Sequence, residues 1–393
     1  MSAELRAFDA DNHYYEAMDA FTRHIEPEFA KRCMQWATID GKTRLLVGGK
    51  INRFLANPTF NKLSAPGSLE DYFRGKNETG ASVVELFGEL EPTRPEYQDR
   101  DVRLRVMDDL GLEGAFFFPT LGVGMEQSLK HDLPAAAAAF RAFNRWMDDD
   151  WGFHYQERIF AAPYISLSDV DNAVRELQWA LDKGARIIVM QTGPVRTELG
   201  FRSPADPMFE PFWKALGESG ILLAYHSGDT AYSEILPMWG EGEQLNAHGS
   251  TTMRSLISAV PAADTLAALV SGQVLRRNPG IRIAVIESGS SWVPQLFKTL
   301  GKHAGQAPKV YPDHPHDVMR KHVSIAPYYE DDLAHLKDLL GVDNVLLGSD
   351  WPHTEGLKDP LSFVKDLERD GYTEAEQRKV MLDNAVALTK PWA

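Results

Sequence analysis

The sequence has little of three features that each mark a class of protein. It contains one cysteine, Cys33, in 393 residues, which excludes an internal disulfide, a cysteine-based zinc site and an iron–sulfur cluster. No apolar run reaches the roughly 18 residues that span a membrane, and the first residues lack the apolar core of a secretion signal. Basic residues number 41 against 56 acidic ones, giving a net charge of −15. We therefore expect a cytoplasmic protein that binds neither nucleic acid nor membranes.

What the chain does contain is typical of a folded globular protein. Hydrophobic residues make up 44% and charged residues 25% of the sequence. Eight short, nearly continuous apolar runs predict strands that are buried on both faces of a parallel sheet. These runs are Ala7–Asp11, Gly114–Phe118, Ile159–Tyr164, Arg186–Gln191, Ile221–His226, Ile281–Glu287, His322–Ala326 and Asn344–Ser349.

Helical patterns separate most of these runs. They are Asp101–Leu110, Pro134–Met147, Asp169–Lys183, Met208–Ser219, Ala262–Leu275, Glu330–Leu340 and Glu374–Leu388. Eight strands alternating with helices favour an α/β fold, a (β/α)8 TIM barrel formed by one domain over residues 1–393. A doubly wound open sheet is the alternative.

Two long segments interrupt this alternation. The first insert, residues 17–97, contains Asp40 and Gly41 between two alternating runs, which predicts a β-hairpin. The second, residues 228–260, follows the fifth strand and is expected to form a lid. Its aromatic and apolar residues, together with a tryptophan after the sixth strand, are predicted to line a substrate pocket. These residues are Tyr232, Met238, Trp239 and Trp292.

Ionisable residues follow four of the predicted strands. Asp11 and His13 are two residues apart at the end of the first strand, so both side chains can face the same side. Glu16, on the loop that follows, can turn back toward them and is a candidate catalytic residue. In isolation, this pattern is more often a polar loop after a strand than a functional site.

The other three groups lie at the ends of the fifth, sixth and eighth strands. His226 ends the fifth strand, Glu287 ends the sixth, and Asp350 ends the eighth with His353 three residues later. Each has an ordinary explanation: a core histidine, a salt-bridged glutamate or a helix-capping aspartate. Together they lie at the carboxyl ends of strands, which is the catalytic face of a barrel. Imidazole and carboxylate groups are ligands for Zn, Fe, Mn and Ni, so we predict a metal site there.

The motifs DADNH, YHSG, RRNPGIRIAVIESGSSWVP and GSDWPHTEG resemble the amidohydrolase superfamily, in the branch that includes the carboxymuconate-semialdehyde decarboxylases. The resemblance implies a barrel enzyme with Asp11, His13 and His226 as metal ligands. It also implies that Asp350 is a ligand or handles a metal-activated water.

The chain departs from that superfamily at two positions. Glu287 stands where most hydrolases and decarboxylases have a histidine. The fourth strand, residues 186–192, contains neither the lysine nor the glutamate that bridges the metals of the dinuclear hydrolases.

The number of carboxylates suggests two metals. The chain resembles a small group within the superfamily that holds two non-heme irons and hydroxylates bulky terpenoids in the biosynthesis of platensimycin-type diterpenoids. That resemblance implies a monooxygenase that uses O₂ and an apolar small-molecule substrate. Asp11, His13 and Asp350 would hold one iron, and His226, Glu287 and His248 the other.

The alternative function is a hydrolase or non-oxidative decarboxylase that uses Zn or Mn. A metal-activated water would lose its proton to Asp350, and Glu287 or His353 would be the general acid. A non-enzymatic binding protein fits less well, because all four ligand groups are retained. We expect a homo-oligomer from the base rate for such barrels.

Overall fold

The computed structural model describes residues 5–241 and 252–390. Within these ranges the chain forms both parallel and antiparallel strands. They are β1 (Ala7–Tyr14), β2 (Met34–Ile39), β3 (Lys42–Val47), β4 (Lys50–Ile51), β5 (Lys62–Leu63), β6 (Glu91–Pro92), β7 (Leu112–Pro119), β8 (Ile159–Ala161), β9 (Ile187–Met190), β10 (Val195–Thr197), β11 (Gly200–Arg202), β12 (Leu222–His226), β13 (Arg282–Ile286) and β14 (Val323–Ile325).

Helices lie between most of the parallel strands. They are α1 (Glu70–Phe73), α2 (Val83–Leu86), α3 (Arg100–Asp109), α4 (Met125–Ser128), α5 (Leu133–Asp150), α6 (Val170–Asp182), α7 (Glu210–Ser219), α8 (Thr252–Ser258), α9 (Val260–Ser271), α10 (Val274–Arg277), α11 (Val293–Gln306), α12 (Pro315–His322), α13 (Leu333–Leu340), α14 (Phe363–Arg369), α15 (Glu374–Arg378) and α16 (Asn384–Leu388). Aspartate caps begin several of them: Asp132 accepts from the Ala135 amide at α5, and Asp169 from the Asn172 amide at α6.

The parallel strands form two sheets, ordered β1-β7-β8 and β14-β13-β12-β9. Their central strands are buried and apolar, as the continuous hydrophobic runs predicted. A parallel bridge between Tyr164 and Val189 connects the first sheet to the second. The structure is therefore α/β with parallel strands, and their carboxyl ends share one edge.

The eighth predicted strand, Asn344–Ser349, is absent as a strand, and this prediction is wrong in detail. The segment makes single parallel bridges instead, from Val345 to Ile325 and from Trp351 to Asn12. Its main chain also forms hydrogen bonds with both neighbouring strands. The Leu346 amide donates to the Ile325 carbonyl of β14, and the Leu347 carbonyl accepts from the Ala10 amide of β1. These contacts place it between β14 and β1.

The segment between β1 and α3 contains small antiparallel sheets. The predicted hairpin is confirmed: β2 and β3 pair from Met34 with Val47 to Ile39 with Lys42. Asp40 and Gly41 at the turn have φ angles of 51° and 71°, the left-handed conformation that an Asp-Gly turn supplies.

Residues 252–271 have the length and apolar composition of a membrane-crossing helix. A third of this stretch is buried in the protein, and it consists of two helices, α8 and α9. Composition of this kind is weak evidence, because core helices of globular proteins share it. The absence of membrane binding stays a prediction.

A fully buried arginine supports the end of β1. The guanidinium of Arg103 donates to the Asn12 side chain at 2.6 Å, to the His13 carbonyl at 2.9 Å and, through Nε, to the Glu96 carbonyl at 2.7 Å. Its charge also lies 4.5 Å from the ring centre of Trp351. This side chain therefore fixes the backbone on both sides of the predicted metal ligand His13.

Replacing Arg103 with alanine is expected to destabilise the fold by about 3–5 kcal/mol, because it opens a cavity and leaves three buried acceptors without donors. Urea denaturation measures the change. Arg105→Ala, an exposed arginine on the same helix, is the matched control and should alter stability by less than about 0.5 kcal/mol. Equal stability of the two variants would contradict this role.

Candidate metal centre

Four side chains from three strand ends meet at one point. Asp11 and His13 extend from β1, His226 ends β12, and Glu287 directly follows β13. His226 Nε2 lies 3.1 Å from His13 Nε2, 3.4 Å from Asp11 Oδ1 and 3.2 Å from Glu287 Oε2. One donor atom from each of the four lies within 4.8 Å of the others. The structure therefore brings together these four predicted ligands.

The hydrogen bond of one imidazole, His226, fits a cation beside its other ring nitrogen. His226 Nδ1 lies 2.7 Å from the Ser227 carbonyl, which can only accept, so Nδ1 carries the proton. In the neutral ring, Nε2 then has a lone pair that points at His13 Nε2 and at two carboxylates. Lone pairs that converge in this way repel one another unless a cation lies among them, and imidazole with carboxylate is a suitable ligand set for Zn, Mn or Fe.

The charges of these groups influence one another strongly. Burial by itself raises the pKa of Asp11, but the adjacent His13 and His226 lower it overall. Burial and the negative charge of Asp350 raise the pKa of Glu287 well above its usual value. A bound cation relieves this repulsion, since it compensates the charge of several carboxylates at once.

A second group adjoins the first through Asp350. Asp350 Oδ1 lies 3.4 Å from His13 Nε2 and 2.6 Å from His353 Nδ1. His353 Nε2 lies 2.9 Å from the Thr120 hydroxyl, which donates its only hydrogen to the Tyr14 carbonyl. His353 Nε2 must therefore be a donor. The 2.6 Å contact between His353 Nδ1 and Asp350 Oδ1 then favours a protonated Asp350, whose pKa burial and the charge of Glu355 raise well above its usual value.

Two of the carboxylates occupy an unusual backbone conformation. Glu287 and Asp350 have φ angles of 49° and 56°, which side chains other than glycine rarely adopt. Such residues cost about 1–3 kcal/mol each and persist where neighbouring contacts fix them, often at functional sites. In this conformation, the side chains of Glu287 and Asp350 lie among the potential metal ligands.

Glu16 does not join these ligands. Its carboxylate accepts hydrogen bonds from the amides of Leu121 and Gly122 at 2.9–3.0 Å, and burial raises its pKa to about 7. Its two oxygens therefore hold the loop after β7. The predicted catalytic role of Glu16 has no geometric support, and His248 lies outside the described residues.

A cavity of about 710 Å³ opens above the ligands. Its polar floor includes Asp11, His13, His226, Glu287 and Asp350. The apolar wall comes largely from the segment between β1 and α3, and it consists of Phe54, Leu55, Phe60, Leu63, Leu69, Tyr72, Phe73, Val83, Phe87 and Leu90. Arg254, from α8, contributes a positive charge to the lining.

The predicted pocket residues lie elsewhere, which corrects that part of the sequence interpretation. Met238 and Trp239 are 80% and 61% exposed, and Tyr232 borders a separate cavity of about 20 Å³. Trp292 is buried and donates to the carbonyls of Ser288 and Gly289. The described part of the second insert therefore contributes little apolar wall, and the first insert supplies most of it.

The family model for amidohydrolases matches residues 9–388, nearly the whole chain. The protein belongs to the amidohydrolase family. The solved structure of an amidohydrolase from Mycobacterium avium subsp. paratuberculosis K-10 is 39% identical, with a TM-score of 0.93, over 99% of this chain and 100% of that one.

Two more distant structures share the fold of this amidohydrolase. A dihydroxybenzoic acid decarboxylase from Polaromonas sp. JS666, with bound manganese and the inhibitor 2-nitroresorcinol, is 17% identical with a TM-score of 0.59, over 86% of this chain and 97% of that one. A 5-carboxyvanillate decarboxylase from Sphingomonas paucimobilis is 15% identical with a TM-score of 0.58, over 99% and 100%. Both are similar in architecture.

The sequence interpretation missed Thr120, Arg254 and Glu355. Glu355 forms a third group with Glu287 and Asp350, whose donor atoms also lie within 4.8 Å of one another. A signal existed for Glu355, which lies five residues after Asp350 in the same motif. Thr120 and Arg254 lie on loops and helices whose position no short motif specifies.

Removing His226 is expected to abolish tight metal binding, whereas removing the charge of Glu16 is not. His226→Ala takes away the imidazole closest to Glu287, so Mn²⁺ affinity should fall by more than about tenfold. Glu16→Gln should retain the bound metal of the unaltered protein. Elemental analysis after dialysis against Mn²⁺ measures the bound metal of both variants. Loss of metal from Glu16→Gln would show that Glu16 is a metal ligand, contrary to the geometry.

Proposed function

We propose that this amidohydrolase is a metal-dependent decarboxylase that removes CO₂, without oxidation, from a carboxylic acid with a bulky apolar body. The observation that carries the proposal is the 2.6 Å contact between Asp350 Oδ1 and His353 Nδ1 beside the ligand group. Decarboxylation needs an acid at that place, because the carbon that loses CO₂ must receive a proton. The decarboxylases of similar fold support this choice over hydrolysis.

Asp11, His13, His226 and Glu287 would hold the cation. A bound divalent ion would polarise the substrate's carboxylate and orient it. Manganese or zinc suits these ligands, and manganese is present in the dihydroxybenzoic acid decarboxylase of similar fold.

The remaining chemistry belongs to the side chains of the cavity. Arg254 would bind an anionic group of the substrate, and the apolar wall would hold its body and exclude water. As the bond to the carboxylate breaks, its electron pair stays on the substrate carbon. The proton between Asp350 Oδ1 and His353 Nδ1 then moves to that carbon, and CO₂ leaves. Atoms and charge balance without an oxidant.

We also propose that the parallel segments close the (β/α)8 barrel of the family. Two observations support closure, the bridge from Val345 to Ile325 and the bridge from Trp351 to Asn12, which link the eighth segment to both neighbours. In a closed barrel all the ligand-bearing strand ends surround one mouth.

Asp350→Asn is expected to lower decarboxylation by about 10²–10⁴-fold, because the amide cannot share an acidic proton with His353. The assay follows ¹³CO₂ released, under nitrogen, from carboxyl-labelled aromatic and unsaturated acids with bulky apolar substituents. Asp317→Asn, an exposed aspartate on α12, is the control and should retain full activity. A strict need for O₂, or cleavage of esters instead of acids, would contradict the proposal.

A second candidate is the O₂-dependent hydroxylation of an apolar substrate by two irons. The observation that favours it is the overlap of the ligand groups, because Glu287 and Asp350 each belong to two of them. Asp350 is 7% exposed, and its Oδ2 atom has no hydrogen-bond partner among the described residues. A cation held by Glu287, Asp350 and Glu355 would explain that buried oxygen.

If two cations bind, Glu355→Gln should reduce the bound metal from about two ions per chain to one, because it removes an anionic ligand. Glu330→Gln, on the lining of the same cavity but outside the three groups, is the control. Elemental analysis after loading with Fe²⁺ under nitrogen measures both. One ion per chain in the unaltered protein, with full activity in the absence of O₂, would eliminate this candidate.

A further inference from the structure

The backbone of Glu287 is held by a side chain from another loop. Glu287 has the left-handed φ of 49°, and its carbonyl accepts a hydrogen bond of 2.8 Å from the hydroxyl of Tyr328. Tyr328 lies shortly after β14, and its ring lines the large cavity. A non-glycine residue in this conformation needs contacts that fix it, and this hydrogen bond is one of them.

Asp331 joins the two loops that meet here. Its Oδ2 atom accepts from the Ser290 amide at 2.6 Å, from the Ser290 hydroxyl at 3.0 Å and from the Tyr328 amide at 3.0 Å. Three donors on one carboxylate oxygen connect the loop after β13 to the loop after β14. The position of Tyr328 over Glu287 therefore depends on Asp331.

The ring of Tyr328 packs closely against the loop after β13. Gly289 has a φ of 58°, and a Cβ atom at this position would lie 2.7 Å from Cδ2 of the Tyr328 ring. The ring thus rests directly on the backbone two residues after Glu287. A shift of the ring would be transmitted to that backbone.

We propose that Tyr328 and Asp331 are positioning residues that aim the Glu287 carboxylate at His226 and thereby set the affinity of the metal centre. This inference rests on the proposed metal centre, and it assigns Tyr328 a task beyond lining the cavity. Outer contacts that orient a ligand typically change metal affinity by about 10–100-fold. The effect is expected even though neither side chain touches the metal.

The test is Mn²⁺ titration of the metal-free protein, followed by electron paramagnetic resonance of the free ion. Tyr328→Phe removes only the hydroxyl, so it should weaken Mn²⁺ binding by about tenfold. Asp331→Ala should weaken binding to a similar degree. The double variant should have about the same Mn²⁺ affinity as the single variant with the lower affinity, because both residues act on the same carboxylate.

Tyr372→Phe is the matched control. Tyr372 likewise donates to a main-chain carbonyl, that of Leu333, at 2.8 Å, but it is buried and does not line the cavity. It should lower thermal stability without changing Mn²⁺ affinity. Unchanged affinity in Tyr328→Phe, or an equal loss in Tyr372→Phe, would overturn this inference alone. Failure of the unaltered protein to bind Mn²⁺ would overturn the proposed metal centre as well.

Discussion

The site depends on one electrostatic constraint: several carboxylates and two imidazole rings point into the same small, largely buried volume. Removing a carboxylate from water is costly, and grouping several of them adds mutual repulsion. Burial and mutual repulsion raise the pKa values of Glu287 and Asp350. Of the three carboxylates, only Asp11 is held ionised, because His13 and His226 lower its pKa. A divalent cation offsets both costs, so the arrangement is better suited to a metal-loaded state than to an empty one.

Much of the surrounding structure maintains this arrangement. Asp9 accepts from the amide and hydroxyl of Ser349, and the Asp350 amide donates to the Asp11 carbonyl at 2.8 Å. These bonds place Asp350 beside β1 without a regular strand ladder. Gly348 is required for the same reason, because a Cβ atom there would lie 2.9 Å from the Cβ of Asp11. The candidate metal ligands on β1 and the pair of Asp350 and His353 are thus linked by one set of hydrogen bonds.

The wall of the cavity is connected to the same loop. The amide of Gly67 donates to the His353 carbonyl at 3.0 Å, and the amide of Leu69 to the Thr354 carbonyl at 2.7 Å. Arg74 adds a bidentate pair with Asp366. The segment that supplies the cavity wall therefore packs against the loop that contains His353 and Thr354.

Local sequence patterns predicted the ligands better than they predicted the cavity. Asp11, His13, His226 and Glu287 each end an apolar run, and strand ends in a parallel sheet share an edge, so their meeting follows from strand order. The strand predicted for residues 344–349 does not form, because this segment pairs with its neighbours only through isolated bridges. The α11 helix was missed although Val293, Leu296, Phe297 and Leu300 follow helical spacing and are buried.

The origin of the cavity wall could not be predicted from pattern alone. Trp239 and Met238 have the composition of a pocket, yet they face solvent, whereas Phe54 and Phe87 reach the cavity from a segment with little regular structure. Which loop covers a barrel mouth depends on long-range packing, such as the contact of Arg74 with Asp366, and no short motif encodes it.

The most direct measurement of the central claim is the anomalous diffraction of crystals soaked with Mn²⁺. The account predicts a strong peak within coordination distance of Asp11, His13, His226 and Glu287. A protein that yields no peak at these four residues, or binds manganese only elsewhere, would contradict it.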